Sequence, residues 1–108
     1  MMAEYNILLV CAAGMSTTTL VQRMSKSAQD RQIKANIFAV SANEADQVLK
    51  ERPIDVLLLG PQVRFLREHF VEKMADEHTK VGIINMQDYG LMNGEKVLMD
   101  ALKLIINH

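Results

Sequence analysis

The sequence has little of what marks a secreted, membrane-spanning or nucleic-acid-binding protein. It contains one cysteine in 108 residues, which excludes an internal disulfide framework and favours a reducing, cytoplasmic compartment. Its formal net charge is −1, so no basic face and no nucleic-acid partner are expected. No apolar run approaches the roughly 20 residues of a membrane-spanning helix, and residues 1–4 lack the basic region of a signal peptide. We therefore expect a cytoplasmic protein without direct membrane insertion.

Nothing in the sequence divides the chain into parts. It shows no internal repeat, no low-complexity tract and no linker. Apolar residues make up 49% of the chain and charged residues 23%, which is ordinary globular composition. The length is sufficient for one hydrophobic core. We predict a single domain over residues 1–108.

The hydrophobic pattern predicts an α/β fold with a parallel sheet. Four apolar segments of strand length alternate with segments in which apolar residues recur at helical spacing. The predicted strands are 7–10, 33–40, 54–60 and 81–84, and the predicted helical segments are 20–32, 42–49, 63–74 and 97–106, with 85–93 as a connection. Such alternation favours an open four-stranded parallel sheet, in the order 2-1-3-4, with helices on both faces.

One stretch, from Ile7 to Leu20, combines a strand, a loop of small residues and the start of a helix. Cys11 follows the apolar strand and precedes Gly14. A small-residue loop that leads into a helix N-terminus is a typical anion site, because backbone N–H groups converge there and the helix dipole adds to them. The same field favours a thiolate over a thiol. We therefore predict that Cys11 is a nucleophile that can hold a phosphoryl group.

Each of these residues also has a purely structural interpretation. A free cysteine is often a small buried hydrophobe, although the position before a helix favours the nucleophile. Ser16 and Thr17 are favoured as helix caps, but four successive hydroxyls exceed what a cap requires, so anion contacts are an equal alternative. The first interpretation of Pro61 and Gln62 is a turn, and a binding site is the second.

The carboxyl ends of the predicted strands place several polar segments at one edge of the sheet, where open α/β sheets bind ligands. These segments are Cys11, Ser41, Gly60-Pro61-Gln62 and Asn85-Met86-Gln87. The loops after the first and third strands flank the switch point, so we expect Cys11 and Gln62 to share one site. Met15 and Met86 are expected at its border, where a pliable apolar side chain suits a partner protein.

The sequence provides no metal or cofactor site. His69 and Glu72 lie on one predicted helical face, but a metal site needs a third ligand that the sequence does not place. Asp88, in the polar connection, is either a general acid or a solvated or capping residue. A flavin site usually has flanking aromatic residues, yet Trp is absent and Tyr89 is the sole candidate. We predict no metal and no cofactor.

Two other classes of protein that handle phosphate are disfavoured, because their characteristic residues are absent from the corresponding positions. A low-molecular-weight cysteine phosphatase has an arginine six positions after its cysteine, because the guanidinium grips phosphate in a bidentate manner. That position is Thr17. A response-regulator receiver has an aspartate at the carboxyl end of the third strand, where this chain has Leu59 and Gly60. Without the arginine, hydrolysis is poorly supported, and a phosphocysteine that is passed on fits better.

The same motifs resemble the enzyme IIB component of the bacterial phosphoenolpyruvate-dependent sugar phosphotransferase system, in its lactose/cellobiose/diacetylchitobiose class. The motifs are Cys11-Ala12-Ala13-Gly14-Met15-Ser16-Thr17, Leu57-Leu58-Leu59-Gly60-Pro61-Gln62, and Asp88-Tyr89-Gly90 with Gly94. The resemblance spans essentially the whole chain. It implies a fold similar to that of low-molecular-weight tyrosine phosphatases.

The resemblance also implies roles and partners. Cys11 matches the family's phosphorylated cysteine, which accepts phosphate from a phosphohistidine on a IIA protein. The phosphate then passes to a beta-linked disaccharide-type sugar bound by the membrane-embedded IIC transporter. The family's phosphate-holding loop corresponds to Ala12, Ala13, Gly14, Met15, Ser16, Thr17 and Thr18. Pro61 and Gln62 are expected in a second loop beside it. A stand-alone cysteine-dependent phosphatase or arsenate reductase is the alternative, and a regulatory binding module is a third.

Overall fold

A four-stranded parallel sheet forms the centre of the protein. The computed structural model describes residues 4–12 and 15–106, except for the side chains of Met15 and Ser16. The strands are β1 (Glu4–Cys11), β2 (Lys34–Ser41), β3 (Val56–Leu59) and β4 (Lys80–Ile83). They are ordered β2-β1-β3-β4, and every neighbouring pair is parallel. The predicted strand order is confirmed.

Helices connect the strands. They are α1 (Met15–Asp30), α2 (Ala42–Glu51), α3 (Arg67–Lys73), α4 (Met86–Gly90) and α5 (Gly94–Ile106), and a 3-10 segment, Pro61–Leu66, precedes α3. Within the described ranges, no helix is long and apolar enough to cross a membrane.

Two hydrophobic cores lie on opposite faces of the sheet, because side chains of β1 alternate between them. Ile7 and Leu9 pack in one core, which also contains the buried residues of α1 and α5. Leu8 and Val10 pack in the other, which contains Ala45 of α2 and Phe70 of α3. All four β1 side chains are fully buried, as expected of a strand that is covered on both faces. This alternation fixes the direction of each side chain at the end of β1.

The interpretation of residues 85–93 as a plain connection was wrong. The short helix α4 forms there, and Asn85 caps it by accepting a hydrogen bond at Oδ1 from the backbone N–H of Asp88, at 3.0 Å. Helices of one turn have no periodicity from which they can be predicted. The capping residue is the one local signal, because Asn is favoured at this position.

Two predicted helical segments differ from the structure in detail. The segment 63–74 is not one helix: it begins within the 3-10 segment, where Val63 has the non-helical angles φ −119° and ψ 21°, and α3 starts only at Arg67. Its side chain still reaches the core, which is why its spacing resembled that of a helix. Ile106 was expected on the buried side of α5, but it is exposed in the last turn, whereas Ile105 beside it packs against the core.

Hydrogen bonds close the amino edge of the sheet, which is opposite to the predicted site. The backbone N–H of Asn6 donates to Asp55 Oδ2 at 2.7 Å, and the backbone N–H of Asp55 donates to the Asn6 carbonyl at 2.9 Å. The carbonyl of Asp55 also accepts from the N–H of Lys80, the first residue of β4, at 2.9 Å. Asp55 therefore joins β1, β3 and β4 where these strands begin.

Candidate functional site

Cys11 is the last residue of β1, an interior strand, and it pairs with Ser41 at the end of β2. Its relative exposure is 1%. The thiol donates a hydrogen bond to the backbone carbonyl of Val40, with an Sγ–O distance of 3.4 Å. The side chain is therefore held toward β2 at the carboxyl edge of the sheet.

The burial of Cys11 bears on its interpretation as a core residue. Cys11 is one of the buried apolar residues, but among the described residues it belongs to neither of the two core clusters, which contain Leu9 and Val10 just before it. Its thiol also has a polar partner, the backbone carbonyl of Val40. The catalytic role of Cys11 stays a prediction, and its position at the end of the strand is compatible with that role.

The helix α1 follows Cys11 along the chain, and its first turn is the positive end of the helix dipole. The first four N–H groups of a helix have no acceptor within it, and the first turn of α1 contains no acidic residue that would repel an anion. Thr17, in this turn, is 1% exposed, and its Oγ1 has no hydrogen-bond partner among the described residues. A buried hydroxyl without a partner costs free energy, so it signals a missing acceptor or donor.

The other predicted phosphate-loop residues are only partly described. Ala12 is an exposed bend that follows Cys11 directly, and Thr18 is exposed on α1. Ala13, Gly14 and the side chains of Met15 and Ser16 lie outside the described residues. Their predicted contacts with phosphate therefore stay predictions.

The loop after β3 approaches β1 closely at Gly60. Its backbone N–H donates to the carbonyl of Val10 at 2.8 Å. A Cβ atom at this position would lie 3.4 Å from that same oxygen, 3.4 Å from Gln62 Oε1 and 3.9 Å from Cys11 Cα. The second loop therefore packs against the end of β1 at Gly60, and a Cβ there would make only ordinary van der Waals contacts. Pro61 follows as the first residue of the 3-10 segment.

An open groove of ≈ 800 Å³ continues from Gln62 along the same edge. We call it the Phe65 groove. Its lining includes Pro61, Gln62, Arg64, Phe65, Met86 and Tyr89. Phe65 is 75% exposed and Met86 is 63% exposed, although both are large apolar side chains. The prediction placed Met86 at the border of the site, whereas Phe65 was missed because a lone aromatic residue at a helix start has no distinctive pattern.

Two polar residues at this edge have structural partners. Asp88 lies 3.7 Å from Lys96 Nζ, so the ion pair ties α4 to α5. The Ser41 hydroxyl donates to Glu44 Oε1 at 2.9 Å, and the predicted capping box at the start of α2 is confirmed. Ser41 therefore stabilises the start of α2, whereas the Asp88 side chain forms an ion pair with α5 and the cap of α4 is Asn85.

No group of three metal-ligating side chains occurs within residues 4–12 and 15–106. His69 does not pair with Glu72 on its own helix. Its Nε2 instead lies 3.3 Å from Asp46 Oδ1 on α2, and Lys73 Nζ lies 3.4 Å from the same oxygen. These three side chains form an ionic contact between α2 and α3.

Comparison with known proteins adds independent findings on relationship. Residues 6–100 match the family model described as PTS system, Lactose/Cellobiose specific IIB subunit. The chain is 44% identical over 108 residues to the PTS system cellobiose-specific EIIB component of Lactococcus lactis subsp. lactis (strain IL1403), covering 96% of this chain and 99% of that protein. It is 39% identical over 102 residues to the PTS system oligo-beta-mannoside-specific EIIB component of Bacillus subtilis (strain 168), covering 94% and 96%.

Solved structures are also similar. The solution structure of a cellobiose-specific phosphotransferase IIB component protein from Borrelia burgdorferi has a TM-score of 0.77 and 44% identity, with coverage of 97% of this chain and 94% of that one. The lactose-specific IIB component domain from Streptococcus pneumoniae has a TM-score of 0.82, 15% identity and coverage of 94% and 98%. The second likeness concerns the fold alone, and it confirms the predicted class, which is the low-molecular-weight phosphatase-like fold.

Proposed function

Because the chain belongs to the family of lactose- and cellobiose-specific IIB subunits of the sugar phosphotransferase system, we propose that Cys11 is the residue that carries its phosphoryl group. IIB components are phosphotransferases that transfer phosphate to sugar. The observation that supports Cys11 is its place in the fold. It is the only cysteine, it ends an interior strand, and α1 begins a few residues later, with the Thr17 hydroxyl buried in its first turn and without a partner among the described residues.

The proposed reaction has two transfers. In the first, the thiolate of Cys11 attacks the phosphorus of a phosphohistidine on a IIA protein. An S–P bond forms, the P–N bond breaks, and its electron pair returns to the imidazole nitrogen. In the second, the hydroxyl oxygen of a sugar bound by the IIC transporter attacks the same phosphorus. The S–P bond breaks, Cys11 leaves as a thiolate, and a base on the transporter takes the hydroxyl proton.

The chain contributes positioning and electrostatics to these steps. A phosphorylated side chain carries about −1.5 to −2 charges near neutral pH, and free N–H groups of a first helical turn stabilise such a charge. Thr17 Oγ1 adds a buried hydroxyl that can donate one further hydrogen bond. The predicted loop residues Ala12 to Thr18 hold the phosphoryl group in this proposal, and Pro61 and Gln62 border it.

Thiolate formation also requires Cys11 to leave its present contact. The S–H group now donates to Val40, whereas a thiolate can only accept hydrogen bonds. We expect the deprotonated side chain to turn from the carbonyl of β2 toward the donors of α1.

The sugar and the partners follow from the relatives. Similar proteins are named for cellobiose and oligo-beta-mannoside, and one for galactose; for this chain we propose a beta-linked disaccharide-type sugar as the acceptor. We propose that residues 1–108 act as one cytoplasmic domain between a IIA donor and a IIC transporter. In this proposal the choice among such sugars is made by the transporter that binds the sugar.

Intact-mass spectrometry tests this proposal. The protein is incubated with phosphoenolpyruvate and the general phosphotransferase proteins, with and without a IIA protein of the lactose/cellobiose class. We expect a gain of one phosphate that requires IIA and that is lost in Cys11→Ser. The matched control is His69→Gln, which removes an exposed side chain that could accept phosphate and should still gain it.

Two outcomes would contradict the proposal. If Cys11→Ser still gains phosphate, the acceptor is another residue. If the protein alone hydrolyses an aryl phosphate or reduces arsenate in the presence of a thiol, and gains no phosphate from IIA, it is a stand-alone phosphatase or arsenate reductase.

A further inference from the structure

The turn between α4 and α5 contains Asn93 followed by Gly94, the one Asn-Gly pair in the sequence. Asparagine is a thermolabile residue, because the backbone nitrogen of the next residue can attack its side-chain amide. Glycine in that next position permits the attack most readily, since it has no side chain and the widest range of backbone angles. Asn93 is exposed to solvent, so water and hydroxide reach it. The pair is therefore a candidate site of covalent modification.

Both residues have structural reasons to stand at these positions. Asn93 caps α5: its Oδ1 accepts a hydrogen bond from the backbone N–H of Lys96 at 3.1 Å, and its carbonyl accepts from the N–H of Val97 at 3.1 Å. Asparagine is among the residues favoured for such a cap. Gly94 is buried against α1, where a Cβ would lie 2.5 Å from the carbonyl carbon of Arg23. Capping thus favours asparagine and close packing favours glycine, so the fold itself brings the reactive pair together.

The hydrogen bonds of this turn oppose the reaction in the folded protein. The attack joins the nitrogen of Gly94 to Cγ of Asn93 in a succinimide ring, so the peptide unit between the two residues has to rotate. That unit is held on both sides: the Gly94 N–H donates to the carbonyl of Met92 at 3.0 Å, and the Asn93 carbonyl accepts from Val97. The Asn93 N–H also donates to the carbonyl of Asp88 at 2.9 Å. The start of α5 must therefore open locally before the ring can close.

Two contacts from α1 hold the turn closed. The Arg23 guanidinium donates from Nη1 to the carbonyl of Met92 at 3.2 Å. Farther along α1 and just beyond its end, Arg31 Nη2 lies 2.7 Å from Glu95 Oε2 in the first turn of α5. Met92 itself has a φ of 53°, in the left-handed region that residues other than glycine rarely adopt. Such a conformation persists only where neighbouring contacts maintain it, so the contacts from α1 control how often the turn opens.

We propose that Asn93 is a site of spontaneous deamidation, and that Arg23 and Arg31 restrain the reaction by holding the α4–α5 turn closed. Hydroxide removes the proton from the Gly94 N–H, and the nitrogen attacks Asn93 Cγ. The N–Cγ bond forms, the Cγ–Nδ2 bond breaks, and the amide group leaves as ammonia with a proton from water. Water then adds to one of the two ring carbonyls. Breaking the Gly94 N–Cγ bond gives aspartate, whereas breaking the bond to the backbone carbonyl carbon gives isoaspartate. This reaction is independent of the role of Cys11.

The two products differ in their effect on the fold. Aspartate caps a helix about as well as asparagine does, and its negative charge is favourable at a helix N-terminus, so α5 can begin as before. Isoaspartate carries the main chain through Cβ and Cγ, which lengthens the backbone between Met92 and Gly94. Gly94 then cannot keep its place against Arg23 while the cap at Lys96 is retained. We expect the isoaspartate form to loosen the packing between α1 and α5.

Peptide-mapping mass spectrometry of the full chain, kept at mildly alkaline pH, tests the site. Asn85 is the internal control: it is exposed and caps α4 by accepting from the N–H of Asp88 at 3.0 Å, but Met86 follows it. We expect Asn93 to deamidate at least about tenfold faster than Asn85 in the folded protein. Unfolding in guanidinium chloride should accelerate the reaction at Asn93 further, because the turn is then open. Equal rates at the two asparagines in the folded protein overturn the inference, and so does a rate at Asn93 that unfolding leaves unchanged.

Two variants separate the contact of Arg23 from its charge. Arg23→Gln and Lys26→Gln each remove one cation from the cavity beside the turn. Arg23 donates to Met92, whereas Lys26 lies 3.6 Å from Asp30 on its own helix. We expect deamidation to rise by about fivefold in Arg23→Gln, as the loss of one hydrogen bond implies, and to stay within about twofold of the wild type in Lys26→Gln. Equal rates in the two variants overturn the control by Arg23.

Arg31→Gln keeps this comparison usable if Arg23→Gln does not fold, because it removes the ion pair with Glu95 and should also accelerate deamidation. Urea unfolding of each variant verifies the fold. The products are separated by chromatography and unfolded in the same way. Asn93→Asp, which reproduces the aspartate product, should unfold at the urea concentration of the wild type or above it. The isoaspartate form should unfold at a lower urea concentration, and equal stability of the two forms overturns the consequence assigned to the close packing of Gly94.

Discussion

The thiol of Cys11 and the carbonyl of Val40 are joined by a hydrogen bond of 3.4 Å between adjacent strands. A serine at position 11 can donate to the same oxygen, whereas an alanine leaves that carbonyl without this donor. Cys11→Ser is therefore the better variant for separating chemistry from folding. If circular dichroism shows that its fold is retained, a loss of phosphate acceptance is due to the missing thiol and not to unfolding.

Thr17→Val is expected to change stability and activity in opposite directions. Valine has nearly the shape of threonine and removes the buried hydroxyl that lacks a partner among the described residues. We expect the free energy of unfolding to rise by about 1 kcal/mol and the rate of phosphate acceptance to fall by about tenfold. Urea unfolding and timed intact-mass spectrometry measure the two effects.

Thr17→Ser is the control for that substitution, because it keeps the hydroxyl and removes a methyl group. It should retain most of the phosphate acceptance. Equal losses in the serine and valine variants would mean that Thr17 acts by packing alone.

Gln62→Glu should slow phosphorylation of Cys11. The substitution places a carboxylate beside Gly60 and the end of β1, where it repels the incoming dianion. Two unit charges about 4 Å apart interact by about 1 kcal/mol or more. We therefore expect an approximately fivefold to tenfold lower rate, which recovers partly at high salt. Gln29→Glu adds the same charge on the exposed end of α1 and should have little effect. Equal rates in the two variants would remove Gln62 from the site.

Gly94→Ala should destabilise the protein because α1 and α5 pack closely there. A Cβ at Gly94 would lie 2.5 Å from the carbonyl carbon of Arg23 and 2.6 Å from the backbone nitrogen of Met24. Backbone atoms cannot move aside as a side chain can, so we expect a loss of about 1–3 kcal/mol in the free energy of unfolding. Urea denaturation measures it.

Gly90→Ala provides the contrast, because a Cβ there would have no atom within 4 Å among the described residues, apart from its chain neighbours and the backbone of its own helix. Gly90 is helical, so alanine should raise the free energy of unfolding by up to about 1 kcal/mol. If both alanine variants were equally stable, the close contact at Gly94 would carry no cost.

The contact between α2 and α3 should weaken in acid. Burial raises the pKa of the Asp46 carboxyl, but hydrogen bonds and attraction from His69 and Lys73 outweigh it, so the pKa lies below the ordinary value of 3.8. The carboxylate therefore stabilises the folded protein above about 3.8, and this contribution is lost as the pH falls through the lower, folded pKa. Because the side chains of Asp46, His69 and Lys73 are partly exposed, the effect on the free energy of unfolding should be small.

Unfolding curves between pH 6 and the acid range, compared for the wild type and Asp46→Asn, test this dependence. The variant should lack part of the fall in stability below about pH 4. Parallel curves for the two proteins would show that Asp46 does not contribute to acid sensitivity.

Local patterns of apolar residues were sufficient to predict the fold, because each pattern shows which side chains of a strand or helix are buried. The apolar run at Ile7 to Val10 predicted a strand covered on both faces, and Leu20, Met24 and Ala28 predicted the buried side of α1. The one-turn helix at Met86–Gly90 and the break at Val63 were not predictable in this way. Both depend on how the chain meets the sheet rather than on periodicity.

The candidate site was predictable to a different extent. The motif around Cys11 and the turn at Gln62 indicated one edge of the sheet, because parallel strands end together. The contact of Cys11 with Val40, the buried state of Thr17 and the exposure of Phe65 depend on residues distant in sequence. No local pattern contains that information.

The hydrogen bonds around Asp55 have a practical consequence. They join three strands at the amino edge, which is the opposite edge of the sheet from Cys11. His78 is exposed at that end, next to Asp55 and Lys80. A fluorophore or an electrode linker attached at His78 would therefore leave the opposite edge, where Cys11 lies, accessible to other molecules.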